Sequence, residues 1–578
     1  MYFSGVESFF YILGIAVSLA ALAAALVIYR VKQNRRKRYW WSIESLLERM
    51  ESMVQAGDME SAVKAGRRAS GLLDLYFPFP SPERAQVMKR LSWFEEDRER
   101  PGSAEELLAE ALRTEDEIDG HGLDNFPDRL RLSVLKSRQG RLAEAMEDLE
   151  ELESRLPDGV NAETAPLLSS LLNHKSLLQV SEGGFELALA SIDRAVELEE
   201  QHSPGSESLV IYMKSRGDLN DHLERHEASL EDYGQALRLA IANSYTEEAA
   251  RLTDRVRLWY KDRPDPQHEP SFWREALELA SRSEDGADMK DMFIASLAEV
   301  GYEYALEEDP EDLLAEALKR EAPEDSLGRA FLIRARARLD LDYGDYGAAL
   351  PGMKQALQVF SLNMGVADSS VINFALEIGD VYIESGNFED ALNLYREAET
   401  VIRKTDGGHH PGLPSIYLRI VECLTELELQ QEVKEYCERA LHITEKMAPK
   451  SSITARLLFY KARAEVETGR TGKAVDLLER SRDICLWLGE MESQGTSLFF
   501  LSTVYQIRGD LENALRCARS ARECYRCAGL HDQDAMGEIY ARLSSVYAGL
   551  GDDKRSLQFA NYAMNTWAVR NVVEKRKA

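Results

Sequence analysis

The sequence predicts an all-α protein, a solenoid of antiparallel helix pairs following a single transmembrane helix, and three observations predict it. A small residue, usually alanine, returns about every 41 residues from Ala62 to Ser556. A glycine stands five residues ahead of most of these markers, at Gly57, Gly140, Gly183, Gly344, Gly386, Gly469, Gly509 and Gly551. Residues 9–29, finally, form an uncharged apolar run of 21.

Taken in order, residues 1–8 read as a short non-cytoplasmic terminus and 9–29 as a transmembrane helix. A run of that length, at about 1.5 Å per residue, spans a hydrocarbon layer of about 30 Å. Residues 30–41 read as a basic juxtamembrane segment: Arg30, Lys32, Arg35, Arg36, Lys37 and Arg38 follow the run, and Glu7 is the only charge before it. Lysine and arginine collect on the cytoplasmic side. The pattern therefore predicts a signal-anchor, a single-pass membrane protein with its N-terminus outside and its repeats cytoplasmic, as in a bacterial inner membrane. The six cations would meet anionic lipid headgroups. Tyr39, Trp40 and Trp41 either rest on those headgroups or begin the first repeat helix.

Residues 42–240 form an N-terminal array. Its marker triplets include Ala104, Leu108, Ala111; Ala145, Leu149, Leu152; Ala188, Ile192, Ala195; and Ser229, Tyr233, Ala236. Spacings of four and three put each triplet on one helix face, where a small side chain lets a neighbouring helix approach. The glycine ahead of it supplies the turn between two antiparallel helices. Residues 241–330 read as irregular or diverged helical repeats, with room for two further pairs around Trp273, Leu277, Ala280 and Pro310, Leu314, Ala317. Prolines in "KDRPDPQHEP" end or start helices there. Residues 331–570 form a C-terminal array, clearest where Ile378, Gly379 and Tyr382 precede "ESGNFEDA" and then Ala391, Tyr395 and Ala398. Residues 571–578 are a tail. No pair can bury its apolar face alone, so neighbours must stack.

The L/I-G-x2-Y, Gly, aromatic, A-x3-Y-x2-A pattern resembles the tetratricopeptide repeat (TPR). Spacings of 40 to 43 are similar to its longer-helix, kinesin-light-chain-like variety, and "HHPG" at His409 to Gly412 resembles the linker of that variety. Only Asn173 stands where such repeats place an asparagine to grip peptide backbone. The resemblance covers roughly residues 45 to 570 and implies a right-handed superhelix whose first helices line the concave side.

The formal net charge of -30 repels nucleic acid and the anionic membrane face, so cytoplasmic proteins or peptides are the expected partners and nucleic acid is not. On the implied concave side stand Phe331, Arg334 and Arg338, then Arg456, Phe459 and Arg463, and then Phe499. Arginines beside aromatics suit a peptide bearing carboxylates, because guanidinium matches carboxylate geometry and the rings add burial. All six cysteines fall between Cys423 and Cys527. "CYRC" has the separation of half a metal site but no completing ligands, so buried thiols are expected and no metal or cofactor. There is no phosphate loop, HExxH or nucleophile elbow, and no catalytic residue is nominated. The expected function is a membrane-tethered scaffold or adaptor recruiting partners through the repeats. The alternative is a regulatory subunit controlling a membrane enzyme, protease or signalling protein.

Overall fold

Helix pairs build the whole of the described chain, and the small residues explain how they close. The structure, a computed structural model, describes residues 37–577 except 55–57, 78–79, 98–99, 120–122, 158, 284–285, 305–308, 407–411, 448 and 530–533. Gly57, His409, His410 and residues 1–36 therefore lie outside the described residues. The first helix, α1, covers 37–54. It is followed by α2 (Met59–Tyr76), α3 (Pro82–Asp97), α4 (Pro101–Asp119), α5 (Phe126–Arg138), α6 (Leu142–Ser154), α7 (Ala165–Ser181), α8 (Phe185–His202), α9 (Glu207–His222) and α10 (His226–Ala242). Then come α11 (Thr246–Asp262), α12 (His268–Arg282), α13 (Ala287–Tyr304), α14 (Pro310–Leu318), α15 (Leu327–Asp342), α16 (Tyr346–Met364), α17 (Ser369–Glu384) and α18 (Phe388–Asp406). The remainder is α19 (Leu413–Glu426), α20 (Gln430–Met447), α21 (Ser452–Glu467), α22 (Thr471–Leu488), α23 (Met491–Ile507), α24 (Leu511–Cys527), α25 (Asp534–Gly549) and α26 (Asp553–Lys577).

Within a pair, the marker residue of the second helix meets a small residue of the first, 12 positions earlier. Ser92, Ser133, Ser176 and Ser502 donate their hydroxyls to the carbonyls of Ala104, Ala145, Ala188 and Ala514 at 2.7, 2.8, 3.0 and 2.8 Å. Ser544 does the same to Ser556 at 2.9 Å. Each such bond satisfies a hydroxyl that the close approach would otherwise bury unpaired, for a net gain of about 1 kcal/mol. At Gly379, 12 positions before Ala391, the position is smaller still. A Cβ on Gly379 would overlap the ring of Tyr395, whose hydroxyl donates to Asp380 at 2.6 Å. The turn that follows is closed by backbone bonds from Gly386 to Ile383 and from Asn387 to Tyr382, with Gly386 at φ +79°. Glu224 and Glu428 take the same left-handed conformation at the turns that lack glycine.

The chain divides into two compact units, Met1–Asp232 and Tyr233–Ala578. In the first, Tyr39 stacks on Tyr76 with ring centroids 3.5 Å apart and Trp40 meets Phe77 edge-on, so these aromatics begin the first repeat pair. Arg131 lies over the Trp93 ring and reaches Glu96 at 2.8 Å.

The second unit opens irregularly. Ser244 adopts φ +58° in a turn of the kind found inside the pairs, and α11 follows with its own buried triplet of Ala249, Thr253 and Val256. Besides touching α10 through Arg255 and Tyr233 and α12 through Tyr260 and Phe272, α11 packs on three first helices, α13, α15 and α17. Beneath it α13 and α15 approach closely. A Cβ on Gly328 would strike the Asp288 backbone, and Ser326, the N-cap of α15, donates to Asp288 at 2.7 Å. From α15 to α26 each pair stacks on the next, and its last three pairs share one core around Leu478, Leu501, Ala518 and Leu543.

The expectation of an N-terminal membrane anchor is corrected. Among the described residues no helix is long and apolar enough to cross a membrane, and residues 9–29 lie outside them. The physical reason is that apolar residues are confined to the faces on which helices pack, leaving polar residues elsewhere, as an amphipathic solenoid requires. The fold of the described residues is the all-α solenoid, and no membrane span is found among them. Membrane tethering, single-pass topology with an outer N-terminus and anionic lipid as a partner of Arg30 to Arg38 are withdrawn with it. Lys37 and Arg38 lie exposed in α1.

Candidate functional site

The first-helix face carries the residues to which the sequence points, and α11 divides it in two. Over α13, α15 and α17 the face is filled by the chain itself. Arg334 is 1% exposed and pairs with Asp254 of α11 at 2.5 Å, with the Phe331, Phe360 and Phe374 rings around its guanidinium at 4.4 to 5.5 Å. Phe331 is likewise buried. Arg338 grips Glu377 with two bonds, at 2.8 and 2.6 Å, and Glu299 at 2.6 Å. Arg251 of α11 reaches Asp368, the N-cap of α17, at 2.6 Å. Arg257 has only longer approaches, 3.7 Å to Asp254 and 3.8 Å to Glu377.

Burial and charge act in opposite senses here. Burial pushes Arg257 down to about 10, and Arg338 and Arg334 beside it push the same way. Burial would raise Glu377, but the guanidiniums of Arg338 and Arg257 outweigh it and hold the carboxyl at about 2. Arg338 is raised, its carboxylates prevailing over burial. These are ion pairs inside a protein, where removing one partner costs far more than the pair contributes. Phe331, Arg334 and Arg338 therefore sit in an internal contact, and their carboxylates come from this chain.

Beyond α19 the same face is open. Arg456 of α21 is 49% exposed and bonds Glu422 of α19. Phe459 meets Tyr460 and Phe500 edge-on at 5.6 and 5.7 Å and borders, with Arg456 and Thr496, a recess of about 200 Å³. Arg463 borders a separate polar recess of about 490 Å³ beside Glu426, Glu428 and Glu467. Phe499 of α23 carries Arg542 of α25 over its ring at 5.3 Å. Arg542 bonds Gln506 at 3.0 Å, leaves its Nε unmatched, and makes no ion pair among the described residues. Burial pushes it down, against the pull of Glu538. The structure so brings Arg456, Phe459 and Phe499 onto one stretch of face, with Arg463 alongside and Phe331, Arg334 and Arg338 apart.

Asp254, Arg257, Glu299, Glu377 and Arg542 carry no signal in the marker pattern. A different one exists: Glu299, Arg338 and Glu377 succeed one another at intervals of 39, as do Asp380 and Arg419. Cys423, Cys437, Cys485 and Cys517 are buried, Cys524 is half-buried and Cys527 is exposed. Burial pushes Cys423 and Cys437 up to about 12, which leaves both as unreactive thiols.

No family model matches the chain. Protein KINESIN LIGHT CHAIN-RELATED 1 of Arabidopsis thaliana is 27% identical over 197 residues, covering 32% of this chain and 31% of that protein. Protein KINESIN LIGHT CHAIN-RELATED 2 of the same plant is 23% identical over 235 residues, covering 41% and 29%. The chain thus spans about a third of the length of the curated relatives it matches. Among solved structures, BtubC (BKLC) from P. vanneervenii aligns with 17% identity and a TM-score of 0.31 over 44% of this chain and 93% of that one. Over these stretches the chain is similar to the kinesin-light-chain-related proteins.

Proposed function

We propose that the chain is a protein-interaction scaffold whose open first-helix face, from α19 to α25, receives a segment of a partner protein. The observation that supports this reading most is the contrast along one face: α11 and its ion pairs fill it over α13 to α17, and nothing in the described chain fills it further on. The segment would lay an apolar residue against Phe459 and Phe499 and offer a carboxylate to Arg456, displacing Glu422, or to Arg542. Arg463 stands among carboxylates and would take part only at the edge. On this reading residues 331–570, the last of the three stretches expected from the sequence, hold the receiving end.

Cross-linking of the full chain in cell extract, read by mass spectrometry, tests the reading. Arg456→Glu with Arg542→Glu, or Phe459→Ala with Phe499→Ala, should abolish the cross-links made at α21 to α25 while helical content stays intact. Unchanged cross-links in both pairs would overturn it. Arg334 and Arg338 are excluded from the test because changing them disturbs the interior.

A further inference from the structure

In the second unit α11, α12, α13, α15 and α17 enclose a cleft of about 450 Å³. Its walls are ionised unevenly. Glu299 and Glu377 are matched by Arg338, and by Arg334 and Arg257 at longer range. That leaves Glu269, Glu303 and Asp342 on the cleft without an ion pair among the described residues, with Lys261 and Arg257 on the facing wall. Glu269 is the telling residue. It is 5% exposed, its carboxyl accepts from the uncharged Tyr304 hydroxyl at 3.0 Å, and no cation pairs with it among the described residues. A carboxylate buried without a cation must take up a proton or acquire a counter-ion. Burial, reinforced by Glu303 and Glu299, lifts it to about 7, and burial raises Asp342 as well, against the pull of Arg338.

The mouth adds a second feature. Tyr302 lines it and meets Tyr343 edge-on with centroids 6.1 Å apart, both rings being exposed. Exposed aromatic faces beside unmatched carboxylates are the surroundings that hold an organic cation.

We propose that this cleft binds a lysine or arginine side chain presented by a basic segment of a partner protein. A free polyamine fits less well, because Lys261 stands on the α11 side together with Arg257, whose Nε has no hydrogen-bond partner. Such a wall suits one cation accompanied by peptide carbonyls. The strongly acidic chain draws basic segments toward it. Binding would require Glu269 ionised, so affinity rises with pH through the neutral range. The groups bearing on it are Arg257, Tyr260 and Lys261 from α11; Asp265, His268 and Trp273 from α12 and its approach; Glu299, Glu303 and Tyr304 from α13; and Arg338 and Asp342 from α15. The site is separate from the α19 to α25 face, so the two proposals stand or fall independently.

The test is fluorescence anisotropy of the full chain with a labelled Gly-Ser peptide carrying one central lysine, its ends blocked, compared with its acetyl-lysine form and with spermidine. Glu269→Gln, isosteric with the protonated residue, should weaken binding about tenfold or more and abolish the rise in affinity between pH 6 and pH 8. Glu303→Gln with Asp342→Asn should weaken it similarly, and the acetyl-lysine peptide should not bind. Unaltered affinity in Glu269→Gln would overturn the proposal. So would an equal loss on changing Glu144, Glu147 and Glu150 of α6 to Gln, since that reports general acidity, or spermidine binding as tightly as the peptide.

Discussion

Between α21 and α26 the helices meet through small residues and apolar rings, whereas α11 is joined to α15 and α17 by charge as well. In the first region Ser502 closes its pair on Ala514, and Leu478, Leu501 and Leu543 form a continuous core. In the second, Arg334 lies buried, and Arg338 and Arg257 largely covered, among Asp254, Glu299 and Glu377. The difference follows from what covers the first-helix face. A face meeting water or a transient partner keeps its charges solvated. A face covered by α11 must match every charge it buries, because an unmatched ion in the interior is penalised by several kcal/mol. Apolar stacking specifies that helices pack in order. The charge pairs specify which helix lies where, out of sequence.

The largest effect expected is at the centre of that network. Arg334→Ala leaves the buried Asp254 with only the more distant Arg257, 3.7 Å away, and should lower unfolding free energy by about 3–5 kcal/mol in denaturant titrations. Asp254→Leu combined with Arg334→Met should recover most of that loss. If the double variant is as unstable as the single one, α11 is not held by this pair.

How much of this could be read from the residues alone differs by region for a physical reason. The pairs are local: Ala391, Tyr395 and Ala398 lie within a turn or two of Gly386, so spacing alone exposes them. Phe331, Arg334 and Arg338 were legible as one helix face but not as a covered one, since Asp254 comes 80 residues earlier. The signals existed in weaker form. Ala249, Thr253 and Val256 repeat the marker spacing but follow Ser244 in place of a glycine. The 39-residue succession of Glu299, Arg338 and Glu377 alternates in sign, as facing residues on successive first helices must. Composition pointed the other way, since arginine beside phenylalanine reads equally as a binding surface. The apolar run at 9–29 reads as a span by length and composition alone, the expectation corrected above, and no helix of the described residues has that character.

The acid limbs of the two carboxylates should separate within this region. Glu377, held at about 2, contributes stability above the ordinary glutamate range that is lost as pH falls from about 4.5 toward 2. Glu269, lifted to about 7, does the reverse. The folded state binds its proton more tightly than the unfolded chain, so stability falls as pH rises from about 4.5 to 7 and is flat above. Glu269→Gln should flatten that slope and gain stability at pH 8, on the order of 2 kcal/mol, relative to the parent chain. Identical slopes in thermal melts of the two proteins would remove Glu269 as the cause.

In the regular region the sensitive points are steric. Gly379→Ala puts a methyl group into the Tyr395 ring, which Asp380 holds in place, and should cost about 1–3 kcal/mol. Relief by a second change, Tyr395→Leu, would identify the ring as the obstacle. A loss that persists in the double variant would point to the backbone of α17 itself.

The smallest effect is the one that best separates the two regions. Arg456 and Arg334 are both first-helix arginines paired with a carboxylate, Glu422 in one case and Asp254 in the other. Arg456 is half exposed, and Glu422 keeps the Tyr460 hydroxyl as a second partner when the pair is broken; exposed pairs are worth about 0–1 kcal/mol. Arg456→Ala should therefore leave the midpoint of denaturation nearly unchanged, and any loss should shrink further in added salt as screening weakens the pair. A destabilisation approaching that of Arg334→Ala would mean that the α19 to α21 face is an internal contact too, and that the open stretch on which partner binding depends begins further along the array.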